Sequence, residues 1–283
     1  MIFACVSVMK LIKAALILGL TAVLTFSTEA GDMIMTYGDP GVTGSSVGNV
    51  SVFNFDSLSL GVHSNVPWSG VGSFDALSIA AANLYGGAAD AAYPNGSPYA
   101  IQSTSGALGG VSRTTLTLST PSSYFGMWWS AGDSANVWTF YSGGNQIAQF
   151  NVANVTSALP AAYFGNPTPG PNHGADAREA FAFINFYGYA GTTFDRIVMS
   201  NPQGSGFEYD NVTVRVGAYG TNPGDRSTLP GVPVSHVVNN GAEIVFSPST
   251  PAISTQPVPE PAVFPILALA GLGALSRLIK IRK

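Results

Sequence analysis

Charged side chains are scarce in this chain, so its few carboxylates are the first place to look for chemistry. Two acids that converge across a glycosidic bond can share general-acid and base or nucleophile roles. Glu179, Asp195 and Glu208 are the candidates for such a constellation, with Glu179 and Glu208 as the acid pair. Their spacing carries no catalytic motif, so a carbohydrate-active hydrolase is the alternative and a non-catalytic body the primary expectation. Gly44-Ser45-Ser46-Val47-Gly48 spells the pattern of a serine-hydrolase elbow. Such an elbow needs a strand before it and a helix after it, and here a Gly/Ser loop leads into a strand. His63, His173 and His236 are too widely spaced for a helical zinc motif. Trp128-Trp129 are the candidate ligand-binding residues, because an aromatic face can pack against the apolar face of a sugar. Adjacent strand residues face opposite ways, so at most one of the two indoles serves a ligand while the other lies in the core. Trp68, Trp138 and Tyr187 are further aromatic options, and packing of all of them in the interior is the competing reading.

The elements that would position these residues read as short strands. Alternating or apolar runs occur at 50–56, 114–118, 137–141, 147–152, 180–186, 196–200 and 207–216, separated by Gly, Pro and Asn turn signals. With no amphipathic helices between them, they predict an all-β, antiparallel β-sandwich over residues 31–216. In the last strand, alternation predicts Phe207, Tyr209 and Asn211 on one face and Glu208, Asp210 and Val212 on the other. Residues 74–93 fit less well and are expected as a helix or an irregular excursion, with Gly86-Gly87 against a continuous helix. Residues 217–257, rich in Pro, Gly, Ser and Thr, read as a stalk, with a short strand conceivable at 242–246.

Charge narrows the partners. Residues 31–258 hold thirteen acids against five arginines and no lysine, a net charge of about −8. Such a body has no positive field for phosphates, which excludes nucleic acid as a partner. The single cysteine, Cys5, lies at the extreme N-terminus, so a mature exported body has no disulfide and must rest on its core.

Both ends read as addresses. Lys10 and Lys13 precede an apolar run at 14–26, followed by Thr28-Glu29-Ala30. This predicts a signal helix over residues 1–30, cut by signal peptidase between Ala30 and Gly31. The other end runs Pro259-Glu260-Pro261, then an apolar stretch at 262–275, then Arg277, Lys280, Arg282 and Lys283. Extended to Ile281 the stretch approaches the roughly 20 residues that span a bilayer, with its basic end predicted to stay cytoplasmic.

This ordered tail closely resembles the PEP-CTERM sorting signal of Gram-negative bacteria, substrates of exosortases. The resemblance implies sorting and processing of residues 258–283 by an exosortase-type membrane protease. The protein would be membrane-anchored before processing, then found at the cell surface or in the extracellular matrix. The body also resembles a jelly-roll-like domain of such proteins, through Tyr124-Phe125-Gly126-Met127-Trp128-Trp129, Asp133, Asn136, Phe194-Asp195-Arg196 and Gly206-Phe207-Glu208-Tyr209-Asp210-Asn211-Val212. It departs from that pattern at Ser130-Ala131-Gly132. Similar closing strands in jelly-roll carbohydrate-binding modules hold a structural calcium, which would make Asp210, with Asp56 from the early strand, its ligands. The expectation is an exported surface or matrix protein, structural or adhesive, that contacts extracellular polysaccharide.

Overall fold

The computed structural model describes residues 31–189, 191–216, 232–238 and 243–245. The expected signal helix with Ala30 and the sorting tail with Pro259, Glu260, Pro261, Arg277, Lys280, Arg282 and Lys283 lie outside the described residues. So does most of the expected stalk.

Thirteen strands make up the described chain: β1 (Asp32–Tyr37), β2 (Ser51–Phe53), β3 (Gly61–Trp68), β4 (Gly72–Ala80), β5 (Tyr99–Gln102), β6 (Arg113–Gly132), β7 (Val137–Ser142), β8 (Asn145–Asn151), β9 (Ala180–Gly188), β10 (Phe194–Ser200), β11 (Phe207–Val216), β12 (Val232–Val238) and β13 (Glu243–Val245). All their pairings are antiparallel. Helix is confined to one turn, α1 (Val152–Thr156), and two 3-10 turns among the described residues. The class is all-β, as the alternation predicts.

The long strand β6 organises the rest. Its first part, through Leu118, pairs with β10 and β4; its last part, from Ser122, lies between β9 and β11. Pro121 stands at the changeover, where a residue without an N–H interrupts the ladder at least cost. The two parts thereby belong to facing layers of a β-sandwich-like body. Phe140 of β7 and Phe150 of β8 stack on Phe186 of β9 at 4.9 and 5.1 Å between ring centroids. Trp138 of β7 reaches Phe186 at 5.2 Å and Phe207 of β11 at 5.3 Å. A continuation of this core joins Phe53, Phe55, Trp68 and Phe74 to Tyr209.

Three sequence expectations are corrected by the sheet. Residues 72–80, within or beside the expected helix or excursion, form β4, and the irregular excursion starts only at residue 81. Phe74 and Leu77 are both buried although three residues apart, so the pleat is offset between them. There Asp75 Oδ1 takes the amides of Ala76 at 2.7 Å and Thr115 at 2.6 Å, replacing a ladder bond. Part of the expected stalk is also sheet: β12 pairs with β1, and β13, inside 242–246, pairs with β12. In β11 the simple alternation stops at Asn211, whose φ of 49° makes a bulge between Asp210 and Thr213. Val212 is thereby turned into the core with Phe207, Tyr209 and Val214, not onto the face of Glu208 and Asp210.

Candidate ligand pocket

The two faces of the central strands differ in cover. On one face Trp129, Tyr209, Phe207 and Ala100 enter the main core. The other face carries Trp128, Phe181 and Phe183, which with Ala131 are roofed by Ala88 of the irregular 81–98 segment. Because both faces of β6 are covered, Trp128 and Trp129 have no exposure at all. Neither can offer an indole to a ligand, which corrects their assignment as ligand-binding residues. Trp129 donates its Nε1–H to Asn136 Oδ1 at 2.9 Å, and its ring lies so close over Gly132 that a methyl there would overlap it. The remaining options are interior too: Trp68 is 7% exposed, and Trp138 and Tyr187 are fully buried.

Asp210 shares the roofed face with Trp128, its register partner on β6. Its Oδ2 accepts from the Ala88 amide at 3.1 Å and the Ser97 hydroxyl at 2.6 Å, and its Oδ1 accepts from the Asn211 amide at 2.7 Å. This carboxylate is a bracket for the 81–98 roof. Burial pushes its pKa up to about 7, against the pull of those three donors and with a smaller upward push from the charge of Asp56. Asp56 takes a bond from Asn54, while its Oδ1 is buried without a partner. Its own pKa is raised, first by desolvation and then by Asp90. The two acids are thus electrostatic neighbours, as a shared cation would require. However, three protein donors already occupy Asp210, and no group of three or more His, Cys, Asp or Glu among the described residues converges as a metal site. The donor set fits calcium poorly.

Glu179 and Glu208 come together where the roof ends. A pocket of about 370 Å³ opens there, lined by both glutamates and by Asp133, Tyr85, Tyr99, Ile101, Leu108 and Gly206, among others. Such a volume is within the usual range for small-molecule sites. Each acid stands at or next to the end of a strand. Glu179 directly precedes β9, Asp133 directly follows β6, and Glu208 is the second residue of β11. In sheet order, β6 separates β9 from β11, so two strand spacings of about 4.8 Å put the two backbones roughly 10 Å apart. Alternation brings the side chains to the same face: Phe181, two residues after Glu179, and Asp210, two after Glu208, both lie under the roof. Asp195 belongs elsewhere. It accepts from the Gly143 amide at 2.8 Å at the turn between β7 and β8, so it leaves the expected acid set.

The electrostatics of this pocket are one-sided. Burial lifts Glu179 to about 8, aided by a hydrogen-bonding contact with Asp176 and by the charges of Asp176 and Asp133; Arg178 pulls weakly the other way. Glu208 is only 4% exposed and is pushed well above the carboxylate range by the same burial, with Glu179, Asp133 and Asp176 adding to it. The hydrogen bond it accepts is from its own amide. Gly206 makes room for it, since a methyl on that residue would overlap the Glu208 carboxylate. The Gly206 carbonyl is fixed in turn by the side-chain amides of Asn136 at 3.0 Å and Asn201 at 2.9 Å. Tyr99, 1% exposed, donates to Asn83 Oδ1 at 3.0 Å, and Tyr85 stands half-exposed at the rim.

Sequence reasoning missed Tyr85, Tyr99 and Gly206 as lining residues and Asp176 as an acid that acts on both glutamates. Asp176 and Glu179 do lie three residues apart just before a strand, and that is the one local signal available. Ser46 sits in an irregular loop between β1 and β2, so the elbow pattern has neither its strand nor its helix. The histidines lie apart: His63 on β3 contacts the Ser59 carbonyl at 2.7 Å, His173 is in an exposed turn, and His236 is on β12. Comparison of the chain with protein-family models, with curated proteins and with solved structures gives no match.

Proposed function

We propose that the chain is an exported bacterial surface or matrix protein, delivered by its signal helix and exosortase-type tail. Its jelly-roll-like body then presents the Glu179–Glu208 pocket to extracellular polysaccharide without cleaving it. The observation that carries the binding role is the pocket itself: an aromatic rim beside carboxyls from three neighbouring strands, in a body whose tryptophans are all interior. Sugar sites combine ring faces with polar groups in this way. Calcium held by Asp56 and Asp210 is not needed in this reading, in which Asp210 fastens the roof of the pocket.

One observation favours hydrolysis as a second reading: Glu179 and Glu208 line one pocket on neighbouring parts of a single face. An acid with a pKa of about 8 is protonated at neutral pH, as a general acid should be. Glycoside hydrolysis also needs an ionised partner. Glu208 is pushed towards its protonated form as well, which supports binding over turnover. The test is electrophoresis through gels containing candidate polysaccharides, run beside an assay for reducing ends. Retardation without new reducing ends is expected. Release of reducing ends that is abolished in a Glu179→Gln, Glu208→Gln double variant would establish the hydrolase. For the address, mass spectrometry of the protein from its native host should find a C-terminal peptide ending near Pro259-Glu260-Pro261. Intact peptides from 278–283 as the dominant species would refute the sorting.

A further inference from the structure

We propose that the pocket takes a cationic amino-sugar unit, its ammonium group placed beside Glu208 and Glu179 and its ring against Tyr85. This inference rests on the polysaccharide-binding reading and names the class of sugar.

The sheet order separates the two chemistries of the wall. Glu179, Asp133 and Glu208 come from β9, β6 and β11, while Tyr99 and Ile101 come from β5 on the far side of β11, and Leu108 from the turn that follows it. A ligand filling this space meets carboxyls along one side and apolar groups along the other. A pyranose with an ammonium substituent has that two-sided character. The sign of the charge follows from what surrounds the acids. Asp133, Glu179 and Glu208 line the same pocket, Asp176 acts on both glutamates, and the one basic group acting on them is Arg178, which is exposed and pulls on Glu179 less than any other group. The body has no lysine to offer. Glu208 is an independent pointer to a ligand. It is more than nine-tenths buried, lines the cavity, and accepts a hydrogen bond from its own amide. A buried carboxyl is costly to ionise alone, and an ammonium donor supplies a compensating charge together with charge-assisted hydrogen bonds. An organic cation also suits carboxyls spread around a cavity rather than converged on a single ion.

The experiment is isothermal titration of the protein with four oligosaccharides of equal length: a glucosamine oligomer, its N-acetylated form, a glucose oligomer and a uronate oligomer. At about pH 6.5, Glu179 starts protonated, so ammonium binding must expel protons. The glucosamine oligomer is expected to bind about tenfold or more tightly than its N-acetylated form. Its apparent enthalpy should change with the ionisation enthalpy of the buffer, and that of the neutral oligomers should not. Glu208→Gln, which keeps the shape and removes the charge, is expected to abolish the preference, and Gly206→Ala to do so by displacing the carboxylate. Equal or tighter binding of the N-acetylated, glucose or uronate oligomer overturns the inference and leaves the polysaccharide reading intact. Binding of none of the four overturns both. Preference for glucosamine that survives in a folded Glu208→Gln protein also overturns it.

Discussion

Asp210→Asn is the sharpest probe of how the pocket's roof is held. In the wild type, folding raises the pKa of Asp210 from 3.8 to about 7. For an acid whose folded value is raised, the folded state favours the neutral form. The site therefore costs nothing below the unfolded pKa, and stability falls as pH rises towards the folded one. One pKa unit corresponds to about 1.4 kcal/mol. Integrating over the two pKa values gives a loss of about 2 kcal/mol by pH 5 and about 4 kcal/mol by pH 8. The part lost between pH 5 and pH 8 is about 2–3 kcal/mol. Asparagine keeps the shape and cannot ionise. Its amide meets the Asn211 N–H with a donor where an acceptor stood, an offset of about 1–3 kcal/mol that does not vary with pH. Urea denaturation of both proteins at pH 5 and pH 8 separates the two effects. The offset moves both points equally, whereas the difference between wild type and variant should shift by about 2–3 kcal/mol in favour of the variant. Parallel pH dependences would refute the reasoning. A shift of the opposite sign would mean that Asp210 is ionised and stabilising in the fold, as a cation ligand would be.

Three further outcomes follow from the same geometry. EDTA is expected to leave the melting temperature unchanged, because three protein donors already occupy Asp210; a marked fall would restore Asp56 and Asp210 as calcium ligands. Trp129→Phe should cost about 1–3 kcal/mol in urea denaturation by leaving Asn136 Oδ1 without its indole donor and opening space in the core, whereas an unchanged midpoint would contradict its full burial. Asn211→Ala should cost about 1–2 kcal/mol because φ is 49° there, beyond the loss of the 2.9 Å bond to the Thr43 carbonyl. Asn211→Gly should lose the bond alone, and equal stabilities of the two variants would argue against the left-handed bulge.

The sequence alone determined the class of this protein, because short apolar or alternating runs bounded by turn residues are a local property, and those read at 137–141, 147–152, 180–186 and 207–216 coincide with strands. It also determined the charge of the body, since the nearly complete absence of basic residues needs no fold to be read. Position in the layers was not legible. Trp128-Trp129 read as one buried and one available residue because a strand has two faces; only the roof over the second face buries both. The 74–80 strand hid in a segment whose runs of alanine read as helix or excursion, and its pairing with β3 and β6 makes it sheet. Val212 changed faces through a single bulge, an event no periodicity reports in advance. The pocket is the clearest case. Glu179 and Glu208 could be suspected as a pair, but Asp195 stood equal with them until the sheet order set β9, β6 and β11 side by side and sent Asp195 to another turn. Carboxyls distant in sequence acquire shared electrostatics only when strands stack them at spacings of about 4.8 Å in a site that water scarcely reaches, and register and burial are decided by the whole fold.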